Sequence, residues 1–201
     1  EEGGFTMAEK TDRRVRKTKN QLKLGLAKLM QQKSIKEITV KELVNEVDIN
    51  RSTFYLHYTD IYDLLHSIED ELTIEIRDSI HAHPVSPFTE DSLPFVEDIF
   101  RILAENKDIC NALFGTNGDI AFIHRMENLI SVHSLDVLKT TFPDNIQTLK
   151  YSYAFCLTGC VGLIKAWLNS DTGESPQEMA RIAFQLIMHT IEAFTSQTPA
   201  E

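Results

Sequence analysis

The sequence predicts an all-α fold: a small N-terminal domain of three helices built around a helix-turn-helix, followed by a larger helical domain. Three observations predict it. Apolar residues recur at three- and four-residue spacing along most of the chain, and no stretch shows the two-residue alternation of a half-buried strand. A capping-box helix, a three-residue turn and a second short helix succeed one another between Thr39 and Tyr58. Charge changes sign just after them. Lys10–Tyr58 carries 12 Lys and Arg against 5 Asp and Glu, whereas Thr59–Glu201 carries 8 against 22. The net charge of -10 argues against a nucleic-acid partner for the chain as a whole. The asymmetry reverses that argument, because a basic front on an acidic back is expected when one end alone meets phosphates.

Each element can be justified in order. Residues 1–9 are expected to lie outside the fold, and "EEGGFT" ahead of Met7 to be an expression remnant. Thr11 or Asp12 can cap a helix running to Gln32, with Val15, Thr18, Leu22, Leu26, Leu29 and Met30 as its apolar stripe. Arg13, Arg14, Arg16, Lys17 and Lys19 crowd its first turns, where the helix dipole disfavours cations, so a compensating partner is implied. "TVKE" (Thr39–Glu42) is a capping box that opens a short helix, Val40–Val47, with Val40, Leu43, Val44 and Val47 inward. Asp48 takes the tight-turn position, Ile49 plugs the core and Asn50 caps the next helix.

That next stretch, "NRSTFYLHY" (Asn50–Tyr58), answers to a purpose when its side chains are set 100° apart. Phe54 and Tyr58 share one row and can anchor the helix. Arg51 and Tyr55, Ser52 and Leu56, and Thr53 and His57 make three further rows, rich in groups that suit a phosphate or a base edge. A longer helix is expected from Ile61 to about His83, then a Pro-bearing loop, "HPVSPFTEDSLP". Helices then fit 94–106, 108–115, 119–141, 146–169 and 176–196, broken at "TNG", "FPDN" and "SDTGESP". The domains so drawn are 10–60 and 61–201.

Composition bounds the function. At 42% apolar, 201 residues can bury a proper core. Three cysteines make no disulfide framework and point to a reducing, cytoplasmic setting. Cys156 and Cys160 read as small core residues, with a redox pair as the alternative. No secretory signal stands at the N-terminus. The most apolar window, 151–168, is bracketed by Lys150 and Lys165 and falls short of the ~20 residues a membrane helix needs. There is no G-x-S-x-G, P-loop, H-E-x-x-H or C-x-x-C, so neither an enzyme nor a cofactor is expected. His66/Glu69 and His189/Glu192 stand three apart, the reverse of the Glu-x-x-His order of di-iron bundles, and no metal site is expected.

"ITVKELVNEVDINRSTFYLHYTDIYDLL" (Ile38–Leu65) resembles the DNA-binding signature of TetR-type transcriptional regulators. That signature is a Thr-led helix, a turn with an inward aliphatic residue, and a helix with Thr-Phe-Tyr-x-His-Phe/Tyr. With the basic helix before it, the resemblance covers roughly residues 10–66. It implies that Thr39 and Lys41 touch phosphate, that Arg51, Ser52 and Tyr55 face bases or nearby phosphates, and that Thr53, His57 and Tyr58 grip the backbone. Arg13, Arg14 and Lys17 would add phosphate contacts. Two positions depart from the pattern. Asp48 stands where the family often has Gly, which Asp tolerates. Ile61 stands where the family often has a phosphate-contacting Lys, which removes one expected contact.

The resemblance further implies that the second domain binds a small-molecule effector and that its last two helices form a homodimer. The residues support an interface of some kind. Ala154, Thr158, Gly162 and Ala166 make a smooth ridge, widened by Gly159. Ile182, Leu186, Ile187, Thr190 and Phe194 belong to a broad apolar face on the last helix. Composition alone fits intramolecular packing equally; the family resemblance favours the dimer. "AFCLTGCVGLIKAWL", with Trp167, is more distantly similar to regulators of dihydroxyacetone-kinase operons. Phe100, Leu103, Phe114, Phe122, Met126, Tyr153 and Phe155 could line a pocket or form plain core. The expected function is thus a dimeric regulator, of repressor type, on a near-palindromic double-stranded operator. A partner-dependent activator or adaptor on the same fold is the alternative.

Overall fold

A computed structural model describes residues 7–83, 92–141, 146–170 and 173–195; the side chains of 7–11, 133, 137, 141, 146–148 and 194–195 fall outside that description. The first six residues, most of the Pro-bearing loop, "FPDN" and the side chain of Phe194 therefore lie beyond it.

The described residues are helical, with no strand among them. The helices are α1 (Met7–Met30), α2 (Val40–Glu46), α3 (Arg51–Tyr55), α4 (Ile61–Ala82), α5 (Leu93–Glu105), α6 (Lys107–Phe114), α7 (Ile120–Thr141), α8 (Ile146–Leu168) and α9 (Pro176–Thr195). A 3₁₀ turn at Ile35–Glu37 leads into α2. Most boundaries fall within two residues of the sequence reading, and α1 and α3 differ most. Helix α1 begins at Met7, so Met7–Lys10 join it. Helix α3 ends at Tyr55, because His57 N–H donates to the Phe54 carbonyl at 2.9 Å and tightens the last turn.

Local chemistry sets several starts. The Asp60 carboxylate accepts from Asp63 N–H at 2.8 Å and caps α4. Ser175 and Glu178 form a capping box at the head of α9, with bonds of 3.2 and 2.8 Å. Asp119 accepts from Ala121 N–H at 2.7 Å ahead of α7.

One buried cluster runs from Leu22 and Leu26 in α1, through Leu64, Ile68 and Leu72 in α4, to Met179 and Ala183 in α9. Packing is continuous across the expected boundary at residue 60. Helix α4 is the bridge: its inward stripe begins at Ile61 beside the helix-turn-helix and reaches Ile80 against α5. Helix α1 packs on α6, α5 on α9, and α8 on α9.

Helix α8 is the one described stretch long and apolar enough to cross a bilayer, over Leu149–Leu168 at mean hydropathy 1.2, which exceeds the sequence expectation. Little of it is buried within the chain.

Candidate nucleic-acid interface

The turn between α2 and α3 has a strict backbone requirement. Asp48 sits at φ 51°, the left-handed region that few non-glycine residues enter. That reversal lets Ile49 N–H return to the Val44 carbonyl at 3.0 Å. The turn rests on α1 at Gly25, where a Cβ would meet Val47 Cγ1 at 2.3 Å, so only glycine allows this approach without displacing a stiff β-branched side chain. Ahead of the turn, Thr39 accepts from Glu42 N–H at 3.3 Å and Glu42 accepts from Thr39 N–H at 3.1 Å. The bond from Lys33, followed by the Thr39 amide, holds the Glu42 carboxyl below its ordinary value. After the turn, the Asn50 side chain accepts from Ser52 N–H at 3.1 Å.

This frame fixes what α3 shows. Phe54 is fully buried, and its ring stands edge-on to Tyr55 at 5.4 Å. Arg51, Ser52 and Tyr55 are exposed, and Thr53 and His57 are half-buried. Arg51 donates to the Tyr55 hydroxyl at 3.1 Å, and its guanidinium carbon lies 5.5 Å from the ring centre. The two side chains thus form one unit on the outer face. Leu56 beside them is 79% exposed. Thr39 and Lys41, at the head of α2, are also exposed.

Tyr58 is a correction. The resemblance implied a grip on the DNA backbone, but its side chain is only 6% exposed. Its ring centre lies 5.9 Å from that of Phe54, Lys19 Nζ stands over the ring, and burial pushes the phenol pKa up. The row geometry that made it an anchor with Phe54 describes its place. Ile61 is likewise buried, the first core residue of α4, so that position has no room to present a solvated cation.

The basic residues divide by partner. Lys28 pairs with Glu46 and Lys33 with Glu42, while Lys23 donates to Asn106 at 2.8 Å, all on the protein's own elements. Arg13, Arg14 and Lys17 are exposed on α1, and no carboxylate among the described residues pairs with them, with Lys41 or with Arg51. A surface that leaves these cations unneutralised beside an exposed Arg–Tyr unit can take polyanions.

Two further features lie in the second layer of helices. A cavity of about 150 Å³ opens between α5, α7, α8 and α9, and Phe100 and Tyr153 line it. Leu103, Phe114, Phe122 and Met126 are buried but do not line it; they are plain core. Phe155 points the other way and is 72% exposed, a second correction. Cys156 and Cys160 face the cavity rather than packing as ordinary core, and Ile187, expected at a dimer face, turns into it as well. The sequence signal for the thiols was present, since residues four apart on a helix share a face.

The second feature is bare helix. Ala154, Thr158, Gly162 and Ala166 are all exposed, as are Ile182 and Leu186 on α9. Nothing lies within 4 Å of where a Cβ on Gly159 or Gly162 would sit. Tyr151 and Phe155 extend the same stripe. Thr190 is half-buried and donates to the Leu186 carbonyl at 2.7 Å. No group of metal-ligating side chains occurs among the described residues; His66 bonds Glu69 at 3.2 Å instead.

A helix-turn-helix with an exposed outer face, joined by one long helix to a second helical layer with a cavity, is the architecture that the resemblance of Ile38–Leu65 implied. The comparisons agree. The family model TetR_C_8, described as "Transcriptional regulator C-terminal region", matches residues 90–189. Residues 90–189 thus match a family of regulator C-terminal regions, and the chain as a whole is similar to TetR-type transcriptional regulators. It is 20% identical over 187 residues to the uncharacterized HTH-type transcriptional regulator YxbF of Bacillus subtilis strain 168, covering 83% of this chain and 44% of that protein. This chain therefore spans less than half the length of that curated relative. A TetR transcriptional regulator from Streptococcus agalactiae shares the fold at TM-score 0.56 and 19% identity, over 90% of this chain and 98% of that one. The dihydroxyacetone kinase operon activator DhaS aligns at TM-score 0.48 and 16% identity, over 88% and 97%, a likeness too slight to place the chain in that subgroup.

Proposed function

We propose that the chain represses transcription by binding a near-palindromic double-stranded operator as a homodimer, and that a small molecule in the cavity releases it. The observation that carries this reading is the Arg51–Tyr55 unit, bonded at 3.1 Å and exposed while Phe54 and Tyr58 hold the same short segment to the core. Arg can bridge two acceptors on a guanine edge, and a hydroxyl reaches a base or a phosphate. Thr39 and Lys41, exposed at the head of α2, suit a phosphate, as do Arg13, Arg14 and Lys17. Ser52, Thr53 and His57 would complete the contacts.

A second copy would cover the bare stripe of α8 and α9. Small residues along it permit close helix approach. Two reading heads would then enter successive major grooves ~34–36 Å apart. An effector shifts this arrangement only by its differential affinity for the released state. The test is a gel-shift series on DNA selected from the host genome. Arg51→Ala and Tyr55→Ala should weaken specific binding while light scattering still reports a dimer; unchanged affinity in both variants overturns the reading.

A further inference from the structure

We infer that the cavity takes a small uncharged molecule carrying a single hydroxyl, of the class of a phenol or short-chain alcohol. This deepens the proposed effector reading and rests on it. Four observations carry it.

The first is size. An engineered cavity of about 150 Å³ holds one benzene, so this one, at about 150 Å³, admits roughly six to eight non-hydrogen atoms. The second is charge. None of the described residues lining the cavity is charged, and the aromatic and aliphatic walls include Phe95, Phe100, Ile130 and Phe184. A carboxylate or ammonium buried there would lose its hydration with no counter-ion in exchange.

The third is the placement and state of the polar groups. Ser134 on α7 and Tyr153 on α8 both line the cavity, as do Ser92 and Ser152, which have partners of their own. Ser134 Oγ donates to the Ile130 carbonyl at 2.9 Å, and Tyr153 Oη donates to Ser131 Oγ at 3.1 Å. Their protons are thus engaged within the protein, and the two hydroxyls also lie within bonding reach of one another, so they offer a ligand one shared acceptor site. A ligand that offers one donor hydrogen meets them, whereas a ketone or ester offers these oxygens only another acceptor and has the weak S–H donors of Cys156 and Cys160 as partners. The fourth is the thiols. Cys156 and Cys160 face the same space, and burial pushes the Cys160 thiol up to about 11, so both stay protonated and neutral at physiological pH.

The protein carries its own reporter. Trp167 is the one tryptophan, and its ring lies 5.4 Å from that of Phe100, which forms part of the wall. The experiment titrates the whole 201-residue chain, without DNA, with hexan-1-ol, phenol, hexan-2-one, hexanoate and hexylammonium at pH 7.5, following tryptophan fluorescence and heat. Hexan-1-ol or phenol should saturate, binding on the order of 100-fold tighter than hexanoate or hexylammonium. Hexan-2-one should fall between. Ser134→Val should erase the preference of hexan-1-ol over hexan-2-one while leaving the far-ultraviolet circular dichroism unchanged, and Cys160→Leu, which fills the space, should abolish saturation. Equal binding of the charged ligands, or no saturation by either hydroxyl compound, overturns the inference. Because no DNA is present, neither outcome bears on operator binding, which the gel-shift series judges separately.

Discussion

Glu69 of α4 and Arg125 of α7 are bonded across the inside of the molecule. Glu69 is fully buried, and one carboxylate oxygen takes both the Arg125 guanidinium and His66 Nδ1, the latter at 3.2 Å. Its other oxygen is buried and has no partner. Helix α4 carries the helix-turn-helix at its head, and α7 lends Ile130 and Ser134 to the cavity one turn and more beyond Arg125. The pair therefore ties the helix that follows the helix-turn-helix to a helix that lines the cavity.

Burial pushes the Glu69 pKa up from 4.5, against the bonds from His66 and Arg125. A carboxyl with a raised folded value contributes most to stability below its unfolded pKa and loses that contribution as pH rises through the folded value. Arg125→Met removes the compensating cation. We predict little effect near pH 4.5 and a loss of about 2 kcal/mol at pH 7.5, below the ~3–5 kcal/mol of a fully buried pair because Arg125 is half exposed. Urea denaturation at both values checks it. The double variant Arg125→Met with Glu69→Leu should recover most of the loss, since it strands no charge.

Asp48 holds a conformation that suits glycine better. Asp48→Gly should leave stability unchanged or raise it by up to ~1 kcal/mol, and Asp48→Val should lower it by about 1–2 kcal/mol. Thermal unfolding of the two variants side by side reads the difference. Equal midpoints would mean that the turn does not need its left-handed residue.

Tyr55 and Tyr58 separate the proposed reading role from anchoring. Tyr55→Phe breaks the bond to Arg51 and should lower operator affinity about tenfold with no change in stability, a loss of roughly 1.4 kcal/mol of binding. Tyr58→Phe should bind the operator nearly as well as the native chain. Tyr58→Ala should cost about 3–5 kcal/mol of stability, as expected for an aromatic ring removed from a core.

Thr39 caps α2 and faces outward. Thr39→Ala should cost about 1 kcal/mol of stability through the lost cap and weaken binding to all sequences alike, since a phosphate contact carries no base preference. Thr39→Ser, which keeps both functions, should restore each.

The N-terminal elements were legible because their constraints are local. Capping boxes, a three-residue turn and 100° rows act over three or four residues, which is why Phe54, Arg51 and Tyr55 could be assigned to opposite faces. The same rows made Tyr58 an anchor, and only the transferred family role pointed it at DNA. Helix α8 was different. It is apolar on nearly every side, so periodicity could not tell which face meets α9, which meets the cavity and which stays bare. Phe155 was therefore assigned inward, although it faces out. The cavity depends on side chains from four helices, and the partner of Glu69 lies 56 residues away. No local pattern encodes either.

The central claim is that Arg51–Tyr55 reads duplex DNA from a two-headed assembly. The most direct measurement is selection of bound genomic fragments by the native chain and by Arg51→Ala, repeated between 50 and 200 mM salt. The native chain should enrich one near-palindrome with half-sites a helical turn apart, its affinity should fall steeply with salt, and the variant should lose the enrichment but keep the salt-sensitive background. The same fragments enriched by both proteins, or no enrichment by the native chain at any salt, would contradict that claim.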